Sequence, residues 1–120
     1  MQTNDSLKRI SEQLSNFNEV ELIYYSLSKN TDNNKMTLIY SVICDLTSAI
    51  SNEKLLRTFV ATKEIIRTLY SKSNINPVFN IITVEEFEST DEYIQGNMTD
   101  ENILYAKSED LILLTKGKGK

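Results

Sequence analysis

Residues 20–44 read VELIYYSLSKNTDNNKMTLIYSVIC, and their pattern decides the fold. Within the second half, Met36, Leu38, Tyr40, Val42 and Cys44 alternate with Thr37, Ile39, Ser41 and Ile43, the period of two that sends successive side chains to opposite faces of a strand. The first half alternates less cleanly, with Val20, Leu22 and Tyr24 set against Glu21, Ile23 and Tyr25 up to Ser26, and also predicts a strand. Between them, residues 27–34 are dense in Ser, Asn, Thr and Asp, whose short polar side chains bond their own backbone and favour turns. Two strands joined by a short polar stretch predict an antiparallel hairpin with an exposed loop.

Outward from the hairpin the periodicity changes. Leu7, Ile10, Leu14 and Phe17 form the apolar stripe of an amphipathic helix over residues 5–17, with Asn4 or Asp5 as its cap. Residues 52–70 repeat helical spacing in Leu55, Leu56, Phe59, Val60, Ile65, Ile66, Leu69 and Tyr70, with Ser51 or Asn52 as cap. The only proline, Pro77, precedes the strand-favouring run 78–82. A helix between the second and third strands makes those strands parallel, through a right-handed crossover. Thr83 and Glu86 are spaced as a capping box and Ile82 and Phe87 as its hydrophobic staple, so a helix starts at Thr83. Thr99, with Met98 and Ile103 as staple pair and Asp100 and Glu101 in the first turn, predicts a second short helix. Residues 111–114, Leu-Ile-Leu-Leu, predict a last strand. The expectation is a small α/β (α+β) domain with a mixed sheet of about four strands packed with helices, in the order α-β-β-α-β-α-α-β. It spans residues 1–115, and residues 116–120 form a flexible Lys/Gly tail.

Composition narrows the chemistry. A chain of 120 residues, 40% hydrophobic and 25% charged, has the balance of one ordinary globular core. It needs no disulfide, and its one cysteine, Cys44, has no partner within the chain. Without histidine the commonest general base is missing, and one cysteine cannot build a zinc site. No cofactor is expected. The acidic C-terminal third lacks the Asp-x-Asp-x-Asp-Gly rhythm of a calcium loop. No apolar run approaches the roughly 18 residues that span a bilayer, and the first thirty residues show no export signal, so the expectation is a cytoplasmic protein without a membrane partner. The formal charge of −4 includes three lysines in the tail; the body is seven charges negative, which argues against nucleic acid as a partner.

The order of elements and several local phrases resemble the minimal nucleotidyltransferase domain. In that family a helix leads to a strand ending in a Gly-Ser turn, then to a second strand opening with Asp-x-Asp. A long helix, a third strand carrying another Asp, a threonine-started acidic helix and a short last strand follow. Residues 20–28, 35–44, 53–70, 78–84, 83–87 (TVEEF) and 111–114 resemble these in turn. The resemblance covers about residues 5–115, and for an active member it implies Mg²⁺-dependent transfer of a nucleotide. The chain departs from the pattern where that chemistry sits. The Gly-Ser turn would fall at residues 25–28, YSLS, without glycine, and Asp-x-Asp at Lys35-Met36-Thr37, without a carboxylate. The only acids between residues 22 and 52 are Asp32 and Asp45, and the third strand offers Asn80 but no acid. Two-metal phosphoryl transfer needs clustered carboxylates. No catalytic residue is therefore assigned. The expected function is a non-catalytic nucleotidyltransferase-like binding or regulatory module acting through protein contacts, a homodimer included. The alternatives are an active Mg²⁺-dependent enzyme of the antitoxin type using Asp32 and Asp45, or an interaction protein of unrelated α/β fold.

One ligand site suggests itself. Ser26, Ser28, Lys29 and Lys35 supply two hydroxyls and two ammonium groups around the hairpin turn, a candidate residual phosphate mouth for a nucleotide; the alternative is a solvated loop. Lys54, Arg57, Lys63, Arg67 and Lys72 make the long helix basic, whereas Glu85, Glu86, Glu88, Asp91, Glu92, Asp100, Glu101, Glu109 and Asp110 make the C-terminal third acidic. Such patches either steer self-association or form the wet faces of helices. Tyr24, Tyr25 and Tyr40 either stack a base or line the core, and Cys44 fits a small core residue.

Overall fold

The structure, a computed structural model, describes residues 3–95, 98, 99 and 101–108. Strands Val20–Lys29 (β1), Met36–Cys44 (β2), Ile75–Ile82 (β3) and Ile103–Ala106 (β4) form one mixed sheet in the order β3-β2-β1-β4. The helices are Thr3–Ser15 (α1), Leu46–Ala49 (α2), Glu53–Leu69 (α3), Val84–Glu88 (α4) and Asp91–Gln95 (α5). The hairpin is antiparallel from Leu22↔Ile43 to Lys29↔Met36, and β3 runs parallel to β2 from Met36↔Ile75 to Ile43↔Ile82. The α+β class, the four-stranded mixed sheet and the order of elements are as the sequence predicts.

Two apolar clusters hold the layers together. On one face Leu7 and Leu14 of α1 and Leu55, Phe59 and Ile66 of α3 meet Ile23, Leu38, Tyr40 and Val42. Leu7 and Leu14 are fully buried, and each contributes roughly 2 kcal/mol by leaving water. Ser11, the polar residue in that seam, is satisfied twice: its hydroxyl lies 2.7 Å from the Leu7 carbonyl and 2.6 Å from the Tyr40 hydroxyl. On the other face Leu22, Tyr24, Ile43 and Ile82 are closed by Phe87 of α4 and Tyr93 of α5. Phe79 couples β3 to its neighbours, with its ring stacked 5.5 Å from Tyr40 and edge-on 6.3 Å from Phe59.

Several local expectations are corrected by pairing at a distance. A bulge between Val20 and Leu22 moves Val20 onto the face of Ile23 and Tyr25, so it does not share a face with Leu22 and Tyr24. Leu27, Ser28 and Lys29 continue β1, because Leu38, Thr37 and Met36 stand opposite them in register; the loop is shorter than the turn composition suggests. Helix α1 begins at Thr3, which puts Asp5 in its first turn instead of at a cap. Asp45 starts a short helix that the sequence reading omitted, accepting from the Thr47 and Ser48 N–H groups. The second short helix of the C-terminal third is Asp91–Gln95, where the Thr90 hydroxyl accepts from the Tyr93 N–H at 3.3 Å. No helix follows Thr99: its N–H and hydroxyl both donate to the Asn102 side chain, and β4 begins one residue later. Asn102 in turn donates through Nδ2 to the Tyr25 carbonyl, which ties that turn to β1. The strand expected at 111–114 and the tail at 116–120 lie outside the described residues.

Where the local signal was strongest it held. The Thr83 hydroxyl accepts from the Glu86 N–H at 3.1 Å and the Glu86 carboxylate accepts from the Thr83 N–H at 2.8 Å, while Ile82 and Phe87 share a cluster. Replacing Thr83 with alanine is expected to lower stability by about 1 kcal/mol, the usual worth of such a cap, measurable as a shift of the denaturant midpoint with unchanged slope.

Candidate functional site

The four residues of the proposed phosphate mouth sit on different surfaces. Ser26 and Ser28 alternate along β1 on the face of Leu22 and Tyr24, opposite Ile39 and Thr37. Lys29 ends the strand on the opposite face by the same alternation, paired with Met36. Lys35 closes the hairpin loop, where the Asn30 N–H donates to its carbonyl at 2.7 Å and its own N–H donates to the Asn33 side chain at 3.1 Å. Asn34 takes the left-handed conformation, φ 60°, that asparagine tolerates better than most residues.

Lys35 lines a cleft of about 250 Å³ with Arg67, Asn74, Asn76 and Pro77. The cleft exists because β2 and β3 start side by side: the Met36 N–H donates to the Asn74 carbonyl at 3.0 Å, bringing the end of α3 beside the hairpin. Ser71 and Ser73 at its rim are engaged, donating to the Thr68 and Tyr70 carbonyls. Arg67 bonds Glu64 at 2.9 Å with both side chains exposed, so that pair is screened and weak. Sequence reasoning linked Lys35 to the serines and missed Arg67, Asn74 and Asn76; no local pattern connects them, since the parallel register of β2 and β3 is what places them together.

At the carboxyl ends of β2 and β3 a second cleft of about 250 Å³ is lined by Glu21, Cys44, Asp45, Thr83 and Glu85 among others. Its acids have structural work. Asp45 Oδ1 accepts from the Thr47 N–H at 3.1 Å and Oδ2 accepts from the Ser48 hydroxyl at 3.0 Å, while Glu21 stands 3.8 Å from the Lys107 ammonium. Among the described residues no three His, Cys, Asp or Glu side chains group so as to hold a metal ion. Asp32 belongs to the hairpin loop and Asp45 to the far end of β2, so a nine-residue strand, roughly 30 Å long, separates the two acids that an active enzyme was expected to use. They cannot share a metal.

The other candidates are core residues. Tyr24, Tyr25 and Tyr40 are all buried, and Tyr24 packs 5.5 Å from the Phe87 ring. The Cys44 thiol is pushed up to about 11 by burial and by the neighbouring carboxylates of Asp45, Glu19 and Glu21, which keeps it protonated and unreactive at neutral pH.

What remains at the surface is polarised. Near the start of β3 stand Lys35 and Arg67; beyond its end α4 presents Glu85, Glu86 and Glu88, all exposed. Along α3, Leu56, Val60, Lys63 and Arg67 follow one another at spacings of four, three and four, a single stripe on one flank of the helix. Arg67 lines the cleft with Ile75, Asn76 and Pro77, so this flank is the one above β3. Leu56 and Val60 in it are 39% and 64% exposed. No described helix is long and apolar enough to cross a membrane. Comparison with protein-family models, with curated proteins and with solved structures finds no match for this chain.

Proposed function

We propose that this chain is a non-catalytic, nucleotidyltransferase-like binding or regulatory module that works through protein contacts. The observation that carries it is the pair of exposed apolar residues Leu56 and Val60 of α3 above β3, a strand that among the described residues pairs on one side only. Leu55, Phe59 and Ile66 point inward, while Leu56 and Val60 are exposed on the flank toward β3 and Ile65 and Leu69 are exposed on another flank of the same helix. Scattered exposed apolar residues are ordinary, whereas aligned ones next to strand backbone that is unpaired among the described residues suit a protein partner. The separation of Asp32 from Asp45 and the structural engagement of Asp45 support the non-catalytic part of the proposal. The element order supports its likeness to the nucleotidyltransferase domain.

The test is a transfer assay with nucleoside triphosphates labelled at the α-phosphate, Mg²⁺, and the chain itself, RNA or bulk protein as acceptor. No Mg²⁺-dependent incorporation is expected. Incorporation that disappears in Asp45→Asn or Glu21→Gln would overturn the proposal and restore the enzyme.

A further inference from the structure

We infer that the cleft at the start of β3 is a site for a phosphomonoester dianion, held by Lys35 and Arg67 without a metal ion. It makes no use of Leu56 or Val60, so it goes beyond the protein-contact module and fails or stands separately from it.

Three segments distant in sequence build the cleft. The parallel register of β2 and β3 opens with Met36 beside Ile75, and the Met36 N–H donates to the Asn74 carbonyl at 3.0 Å, so the hairpin end, the last turn of α3 and the turn into β3 converge. The result is a hollow of about 250 Å³ with Lys35, Arg67, Asn74 and Asn76 in its polar lining and Tyr70, Ile75 and Pro77 in its apolar one. Drug-sized ligands fill roughly 300–1,000 Å³, so the hollow suits a smaller group, a phosphate with the first atoms of its ester stem.

The donors are uncommitted. The Lys35 ammonium and the side-chain amides of Asn74 and Asn76 make no hydrogen bond or ion pair to another described residue. Arg67 is engaged through Nη1 by Glu64 at 2.9 Å, an exposed pair that water screens, and the rest of its guanidinium fork is open. Ammonium, guanidinium and amide nitrogens all donate, which is what phosphate oxygens require.

The charge balance favours a dianion. No Asp or Glu lines the cleft, although the formal −4 of the chain becomes −7 once the three lysines of residues 116–120 are set aside. Two cations from separate elements match the charge of about −2 that a phosphomonoester carries near neutral pH, whereas a carboxylate would leave one of them unpaired. The lining offers Mg²⁺ no anionic ligand, so binding is metal-independent. The carboxyl end of α3 is the one unfavourable neighbour, because free carbonyls there repel an anion. The Thr68 and Tyr70 carbonyls accept from the Ser71 and Ser73 hydroxyls at 2.9 Å each, and the Ile66 carbonyl accepts from the Tyr70 N–H, which blunts that repulsion.

The experiment is an NMR titration of the amide resonances of the full chain, without Mg²⁺ and at constant ionic strength. The probes are inorganic phosphate, glycerol phosphate, a short phosphoserine peptide and acetate. Saturable shifts are expected at millimolar phosphate, confined to residues 35, 67 and 70–76, with acetate roughly tenfold weaker. Lys35→Ala and Arg67→Gln change exposed residues and should each weaken binding roughly tenfold, the loss of one charge-assisted hydrogen bond. Glu64→Gln removes the competitor of the ligand for Arg67 and should tighten binding about two- to threefold, which a merely structural Arg67 would not produce. Lys54→Ala removes an equal charge roughly 20 Å away along α3 and should alter affinity by less than about twofold. Tighter binding of the peptide than of glycerol phosphate would support a phosphorylated side chain as the source of the group, and the reverse order a free phosphate ester. Absence of a saturable shift would overturn the site, as would equal binding of acetate, indifference to both Lys35→Ala and Arg67→Gln, or an equal loss in Lys54→Ala.

Discussion

Truncating Phe87 to alanine is expected to lower the free energy of unfolding by about 3–5 kcal/mol, the cost of emptying a buried aromatic site. Phe87 is 2% exposed and is the hub of the second cluster, with its ring 5.5 Å from Tyr24 and 5.3 Å from Tyr93. Helices α4 and α5 are five residues each, too short to persist without that anchor. The first cluster, under α1 and α3, does not include it. Hydrogen exchange of the variant should therefore show α4 and α5 losing protection first, while α1 and α3 keep theirs until global unfolding. For a domain with 5–15 kcal/mol in total, the midpoint shift in urea would be large. A loss under about 1 kcal/mol would mean that the second cluster is not part of the cooperative unit.

Alkali is expected to produce the second large effect. Burial pushes the Tyr40 hydroxyl up from 10.0 to about 12, against the opposing effect of its hydrogen bond with Ser11, and the Cys44 thiol up from 9.0 to about 11. Both groups are neutral when protonated, and the folded chain holds their protons more tightly than the unfolded chain. Below pH 9 both states are protonated and the contribution is complete. As the pH rises through 9 and then 10, the unfolded chain releases protons that the folded chain retains, so stability falls at about 1.4 kcal/mol per pH unit for each group. The loss ends when the folded groups ionise near pH 11 and 12, by which point it totals roughly 5 kcal/mol. Tyr40→Phe removes the tyrosine's share while Ser11 keeps its bond to Leu7, so the slope of stability against pH above pH 10 should be about halved. Equal slopes for wild type and Tyr40→Phe would show that the Tyr40 hydroxyl is not held in the buried environment described.

The features legible in the sequence were those whose cause is local. The Thr83–Glu86 box with its Ile82–Phe87 staple, the Asn52 cap of α3 and the alternation of β2 each contain their own partners within a few residues. What was misread depended on a distant strand. Thr99, Asp100 and Glu101 look like a helix start, but Asn102 satisfies Thr99 and hydrogen-bonds Tyr25, seventy-seven residues away, and the following residues join β1. The same holds for Leu27–Lys29, which became strand because β2 supplied a partner. The candidate mouth failed to assemble for this reason too: a pleated strand sends Ser28 and Lys29 to opposite faces, and Lys35 finds Arg67 only through the register of β2 with β3. Arg67 was visible as a helical cation, but its neighbourhood with Asn74 and Asn76 was not.

The most direct test of the central claim is a thermal-shift titration of the full chain with ATP, GTP, CTP and UTP, each with and without Mg²⁺. A ligand bound by the folded state alone raises stability by RT ln(1 + [L]/Kd), so a site with a Kd a hundredfold below the nucleotide concentration would add about 2.7 kcal/mol. The expected result is no Mg²⁺-dependent shift with any nucleotide at millimolar concentration. A base-specific rise in Tm that requires Mg²⁺ and is lost in Asp45→Asn would contradict the binding-module account and return the chain to nucleotide chemistry.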